Sequence, residues 1–285
     1  MPFTLDSIKD LDAVMRRRAL AAEQVSARYV CERAIAYGPD PDHTLDLYLP
    51  PGAAGQGPVP VLMFIHGGFW RSLRAAQFSF LAPAFVDHGV ALAVIDYPLI
   101  PRVRMQEVVQ ACRLALGHLH RQADALGLDR ARIAVAGNSA GGHLVAELMD
   151  TAWMAAMDLP PDSLCGGVAI SGLFDLAPVA LSFQNDSLHL TAEEIERFSP
   201  LKRALSLNAP LLVAVGGAET SEFLRQSEAF AQHARAQGAR VSHMEVAQAN
   251  HITVVLDELA QAEQPLSLAT RELLLPGVKQ LTGPA

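Results

Sequence analysis

The stretch GNSAGG at 137–142 sets Ser139 between Gly137 and Gly141. A serine hydroxyl attacks a carbonyl only when a base removes its proton, and that base is best held by a carboxylate. Downstream the chain offers Glu219, in GGAETSEF, and then His251, in ANHIT. Upstream, HGGFW at 66–70 supplies paired glycines whose backbone can approach a substrate carbonyl closely. Together these residues point to acyl transfer, with an oxyanion held by backbone N–H groups. Taken alone, GNSAGG also reads as a phosphate-binding glycine turn or a plain strand–helix loop.

Each role falls on a particular residue. Ser139 is the nucleophile and His251 the base, since the order serine, acid, histidine puts the histidine after the last expected strand. His189 sits in an irregular segment, His233 inside a helix, His243 within a strand, and His143 on the helix that follows Ser139. Glu219 is the favoured acid, with Glu222 and Asp175 as alternatives; Asp175 also suits a turn-forming carboxylate. The oxyanion donors are the N–H groups of Ala140, Gly67 and Gly68, with Phe69 replacing one of them if the loop is rotated by a residue. His66 is expected to pin that loop through its side chain. Phe69, Trp70 and Phe174 are expected to wall the substrate pocket, with Phe183 and Phe198 bordering it. This chemistry needs no metal and no organic cofactor.

Such residues must be carried on elements that bring them together. VPVLMFIHGG (59–68), VALAVIDY (90–97), RIAVAG (132–137), CGGVAISG (165–172), APLLVAVGG (209–217) and VSHMEVA (241–247) read as strands. Most of them are continuous apolar runs, the mark of strands buried on both faces. Helical stretches fall at 75–88, 104–126, 141–153, 222–238 and 252–275, and each crossover is long enough to hold a helix. This is the pattern of an α/β fold, a mostly parallel, doubly wound sheet with helices on both faces. The candidate residues stand just past strand ends, where active sites of such sheets lie. Ser139, between strand and helix, fits a nucleophile elbow, whose tight turn requires small residues two positions before and after. LDLYL (45–49) is a further strand, an antiparallel start to the sheet, followed by a Pro/Gly turn at 50–60. Residues 6–36 read as an N-terminal helical extension and 178–205 as a small lid insertion. Both belong to a single domain spanning 1–285.

Composition narrows the partners. Of the 285 residues, 51% are hydrophobic, enough for a large core without disulfide staples. The formal net charge is −8, and no basic stripe suits a nucleic acid. No apolar run reaches the roughly 18–20 residues of a membrane span, and the N-terminus lacks a secretory h-region. Cys31, Cys112 and Cys165 are far apart, with no metal-ligand spacing. The expected setting is cytoplasmic, the expected partner a small ester or amide substrate, and a homodimer is possible.

The chain resembles the α/β-hydrolases, and within them the arylformamidase (kynurenine formamidase)-like esterase group. The resemblance rests on YGPDPDHTLDLYLP, HGGFWRS, AVIDYPLIP, GNSAGGHL, SGLFDLAPV, VGGAETSEFLRQS and NHIT, which run from about residue 37 to 252. It implies a triad of Ser139, an acid at Glu219 and His251, acting on a small ester or on an aryl formamide such as N-formylkynurenine. Two positions depart from the group's pattern. Asn138 stands where histidine is frequent, and the acid is glutamate where aspartate is common. A general short-chain carboxylesterase or carbamate/amide hydrolase shares the same machinery. A silent binding protein of this fold would usually lack a triad member, and a propeller-bearing peptidase would show blade repeats.

Overall fold

The computed structural model describes residues 5, 8–53 and 57–276; parts of the expected N-terminal extension and of the 50–60 turn lie outside them. The chain begins with helix α1 (Leu11–Arg28) and strands β1 (Cys31–Ala36) and β2 (Thr44–Tyr48). Next come β3 (Val59–Ile65), a 3₁₀ turn at 75–81, α2 (Ala82–Val86) and β4 (Ala91–Ile95). Helix α3 (Met105–Arg121), β5 (Leu128–Asn138), α4 (Ala140–Met149) and β6 (Gly166–Ile170) follow. Short helices α5 (Ala177–Ala180), α6 (Asn185–Leu188) and α7 (Ala192–Arg197) fill most of the expected lid segment. The chain ends with β7 (Leu211–Gly216), α8 (Ser221–Ala236), β8 (Val241–Val246), a π-helical turn at 254–259 and α9 (Pro265–Leu274).

The eight strands form one sheet in the order β1-β2-β4-β3-β5-β6-β7-β8. All pairings from β4 to β8 are parallel, while β1 and β2 add antiparallel at one edge. β2 is thus an antiparallel start, but its inner partner is β4 and not β3, its successor in sequence. The apolar runs are explained by burial on two sides. Val61, Met63 and Ile65 of β3 enter one hydrophobic layer, and Leu62 and Phe64 enter the other. One layer is closed largely by α3, α4 and α8, the other by α1, α2 and α9. Among the described residues no helix is long and apolar enough to cross a membrane.

Two expectations are corrected in detail. The helical reading of 6–36 overshoots: α1 stops at Arg28, and Cys31–Ala36 is an edge strand. Its residues CERAIA are permissive for helix, but pairing with β2 supplies hydrogen bonds that local propensity cannot. The register slips between Glu32 and Ile35, where Ala34 takes a φ of 54°. The C-terminal stretch 252–275 is not one helix but a π turn and then α9, which begins at Pro265.

Candidate active site

Ser139 occupies the single residue between β5 and α4, with φ 60° and ψ −120°. Such a conformation costs on the order of 1–3 kcal/mol for a non-glycine residue, and surrounding packing must hold it. Its N–H donates to Ile170 O at 2.9 Å, tying the turn to β6. The flanking glycines are sterically required. A Cβ on Gly141 would lie 2.0 Å from Ile65 O, and one on Gly137 would lie 2.5 Å from Gly141 O. Gly142 packs against β6, where a Cβ would meet Ile170 O at 2.6 Å. The tight turn therefore places strand, helix and neighbouring strand ends in contact, and the serine opens onto a cavity of about 450 Å³.

His251 borders the same cavity. Its Nδ1–H donates to Glu219 Oε2 at 2.6 Å. A carboxylate only accepts, so the proton resides on Nδ1 and Nε2 is left as the basic nitrogen. The other oxygen of Glu219 accepts from Gly216 N–H at 2.8 Å and from the Ser171 hydroxyl at 2.5 Å. With 9% of its surface exposed, the carboxylate is held by three donors in a dry setting. Phe223 stacks on the imidazole with ring centroids 4.3 Å apart. The two alternative acids are engaged elsewhere. Glu222 forms an ion pair with Arg225 and accepts from Gln226, and the Arg225 guanidinium holds its carboxyl below the ordinary value. Asp175 Oδ1 accepts from Ala177 N–H at 3.0 Å and so pins the turn into α5.

The loop after β3 lies directly on the elbow. A Cβ on Gly67 would stand 2.9 Å from Asn138 O and 3.1 Å from Ser139 Cβ. Gly68, Phe69 and Trp70 carry φ values of 102°, 49° and 55°, an uncommon run of left-handed residues. Side chains and local turns fix it. His66 Nδ1–H donates to Gly67 O at 2.8 Å, and the Tyr97 hydroxyl donates to His66 O at 2.9 Å. Gly68 O accepts from the N–H groups of Arg71 and Ser72. With both carbonyls engaged, the N–H groups of Gly67 and Gly68 enter no hydrogen bond among the described residues. Ala140, the first residue of α4, offers a further N–H beside Ser139.

Two expected pocket residues are not on the pocket. Trp70 is fully buried; its indole N–H donates to His143 Nδ1 at 3.2 Å. Phe174 is likewise fully buried, stacked on Phe230 at 4.0 Å between centroids. Trp70 turns into the core against His143, while Phe69, which shares its left-handed backbone, borders the cavity. Phe183 also borders the cavity, whereas Phe198 is buried away from it. Sequence reasoning missed Ser171, the clamp on Glu219, although its place just past β6 was a signal. Helix α1, from the N-terminal extension expected to cover the site entrance, lines the cavity through Leu11, Met15 and Arg18, three residues not singled out in the sequence. Their spacing of four and three residues is the stripe of one helix face. Asn138 borders the cavity too, and its Nδ2 is buried with no hydrogen-bond partner among the described residues.

A doubly wound sheet with a strained serine turn at the end of its fifth strand defines an α/β-hydrolase. Residues 45–158 match the family described as BD-FAE. The kynurenine formamidase of Danio rerio is 28% identical over 226 residues, covering 78% of this chain and 74% of that one. The isoprenylcysteine alpha-carbonyl methylesterase ICME of Arabidopsis thaliana is 28% identical, covering 73% of this chain and 53% of that protein. Among solved structures, a protein described as a candidate thioesterase from Silicibacter sp. TM1040 superposes with a TM-score of 0.76. It is 30% identical, with 92% of this chain and 94% of that one covered. The chain has the α/β-hydrolase fold, is similar to the arylformamidase-like esterases, and is a hydrolase of the esterase type.

Proposed function

We propose that this hydrolase cleaves a small ester or aryl amide through an acyl-enzyme on Ser139. The observation that carries the reading is the 2.6 Å contact between His251 Nδ1 and Glu219 Oε2 on the wall of the cavity that Ser139 faces. His251 Nε2 takes the Ser139 proton as Oγ bonds to the substrate carbonyl carbon. The carbonyl oxygen becomes an oxyanion beside the N–H groups of Gly67, Gly68 and Ala140. Glu219 orients the imidazole and stabilises its charged form. Collapse breaks the bond to the leaving alcohol or amine, which receives the proton from His251. Water then repeats the sequence on the acyl-serine, releasing the acid and restoring Ser139. All proton transfers use groups of this chain and water.

The aromatic wall of Phe69, Phe183 and Phe223 suits an aryl substrate, and an aryl formamide such as N-formylkynurenine combines such a ring with a small acyl group. The test uses purified protein and Ser139→Ala with 4-nitrophenyl acetate and N-formylkynurenine. Turnover of both by the wild type and of neither by the variant is expected. Ester cleavage without formamide cleavage moves the assignment to a general carboxylesterase. Equal rates in the two proteins remove Ser139 as the nucleophile.

A further inference from the structure

Three arginines stand in a row at 16–18 of α1, and their surroundings differ. Arg16 is exposed, and Arg17 pairs with Asp257 at 2.6 Å across a solvated surface. Arg18 is only 6% exposed and faces the cavity that Ser139 and His251 border. Among the described residues it has no hydrogen bond and no ion pair. Its one contact of note is with the Phe78 ring, 5.5 Å from Cζ to centroid, and Phe78 lines the same cavity. Burial pulls the Arg18 guanidinium below its ordinary value, and among the described residues no carboxylate offsets it. A buried charge costs several kcal/mol unless it is paired and hydrogen-bonded. Lysine and arginine are almost never buried unpaired, and here a guanidinium with five N–H donors lines the cavity with no hydrogen-bond partner among the described residues.

We infer that Arg18 binds a carboxylate of the substrate, so that the enzyme selects acyl compounds whose apolar or aromatic body bears one carboxylate away from the scissile bond. This rests on the serine-hydrolase reading above and deepens it. The planar guanidinium fork matches a carboxylate in a bidentate pair. One charge is what the site can neutralise. Arg71, the other guanidinium at this cavity, is exposed and engaged with Gln184 Oε1 at 2.8 Å. A dianionic phosphate would leave a charge uncompensated against Phe69, Phe78 and Phe223. The cavity, about 450 Å³, holds a ring and its carboxylate together. Helix α1 therefore takes part in recognition as well as in covering the sheet.

The test compares 3-acetoxybenzoate with 3-acetoxybenzamide, which match in size and differ in charge. kcat/KM for each is measured with wild type, Arg18→Gln and Arg18→Lys. Comparing the acid-to-amide ratio between proteins cancels the intrinsic reactivity of the two phenols. A charge-assisted hydrogen bond predicts a ratio about 10- to 100-fold lower in Arg18→Gln, carried mainly by KM, with Arg18→Lys retaining part of the preference. A ratio within twofold of wild type overturns the inference. If the variants do not fold, wild-type inhibition decides: benzoate must compete at least about tenfold more tightly than benzamide, and equal inhibition overturns the assignment. If wild type cleaves neither ester and a fluorophosphonate leaves Ser139 unlabelled, the serine-hydrolase reading fails. Cleavage of both with an unchanged ratio removes Arg18 alone.

Discussion

Trp70 and His143 are joined by a 3.2 Å hydrogen bond that ties the loop after β3 to the helix after Ser139. Indole N–H is a donor only, so His143 Nδ1 accepts and its Nε2–H donates to Phe198 O at 2.8 Å. The imidazole is thus a neutral, fully buried bridge between three segments: the glycine loop, α4 and the end of α7. It holds together two of the segments that carry the proposed oxyanion donors. Within its own element only Glu147 faces it, 3.9 Å from Nε2; Arg203 lies beyond, paired with that same carboxylate.

This bridge makes the fold acid-sensitive. Burial pushes the His143 ring down to about 4 from an ordinary 6.5, against the pull of the Phe198 carbonyl. The unfolded chain binds its proton below about 6.5, while the folded chain resists until about 4. Stability from the neutral ring is therefore fully present above 6.5 and is lost as the pH falls towards 4, by about 3 kcal/mol in all. Urea midpoints of wild type and His143→Gln, measured between pH 7.5 and 4.5, should converge in their acid loss only if other groups dominate. A clearly flatter profile for His143→Gln is expected.

The proposed role of Glu219 as the acid is tested by a pair of isosteric changes. Glu219→Gln should lower kcat by at least about 10³-fold, because the imidazole loses both its orientation and its counter-charge. Glu222→Gln, whose carboxylate is occupied by Arg225, should change kcat by less than about threefold, in line with the small worth of an exposed pair. Steady-state kinetics on 4-nitrophenyl acetate separates the two.

Ser171 acts through Glu219 and touches no substrate. Removing its hydroxyl takes one of three donors from a buried carboxylate, so Ser171→Ala should reduce kcat by about tenfold, the effect of a lost charge-assisted bond. KM should move little, since this positioning residue stands behind the imidazole. Ser171→Thr keeps the hydroxyl and should recover part of the rate.

Gly67→Ala probes the proposed oxyanion role of the loop after β3. The new methyl meets Asn138 O and Ser139 Cβ, so the loop must withdraw from Ser139. Loss of one aligned donor predicts a kcat about 10²-fold lower. Circular dichroism and melting temperature should stay near wild type, because the strain is relieved by movement towards the open cavity. Full activity in this variant excludes the loop from the oxyanion site.

The cluster under α4 is structural. Arg203 pairs with Glu147 at 2.7 Å and with Asp150, and Glu147 is only 2% exposed. Arg203→Leu strands that carboxylate without a partner and should destabilise the fold by about 3–5 kcal/mol. Replacing both residues, as Arg203→Leu with Glu147→Leu, should restore much of the loss in denaturant unfolding.

The sequence by itself determined the order of the six apolar strands, though not the edge strand β1, because continuous apolar runs follow from burial on two faces and those runs are local. It determined the elbow as well: Gly137 and Gly141 sit at the two positions where a Cβ would strike backbone, and that requirement is written in spacing alone. The order Ser139, Glu219, His251 past successive strand ends was also legible. Only the tertiary structure decided which carboxylate meets the imidazole, since Glu219 and Glu222 are the same residue type, three residues apart. It alone turned Trp70 and Phe174 inward, because side-chain direction at a left-handed residue or a strand end depends on the neighbouring segments. It alone brought Arg18 from a polar-looking helix to the cavity. Contacts between residues far apart in the chain leave no period in the sequence, and the charge that most needs a partner is visible only once its surroundings are known.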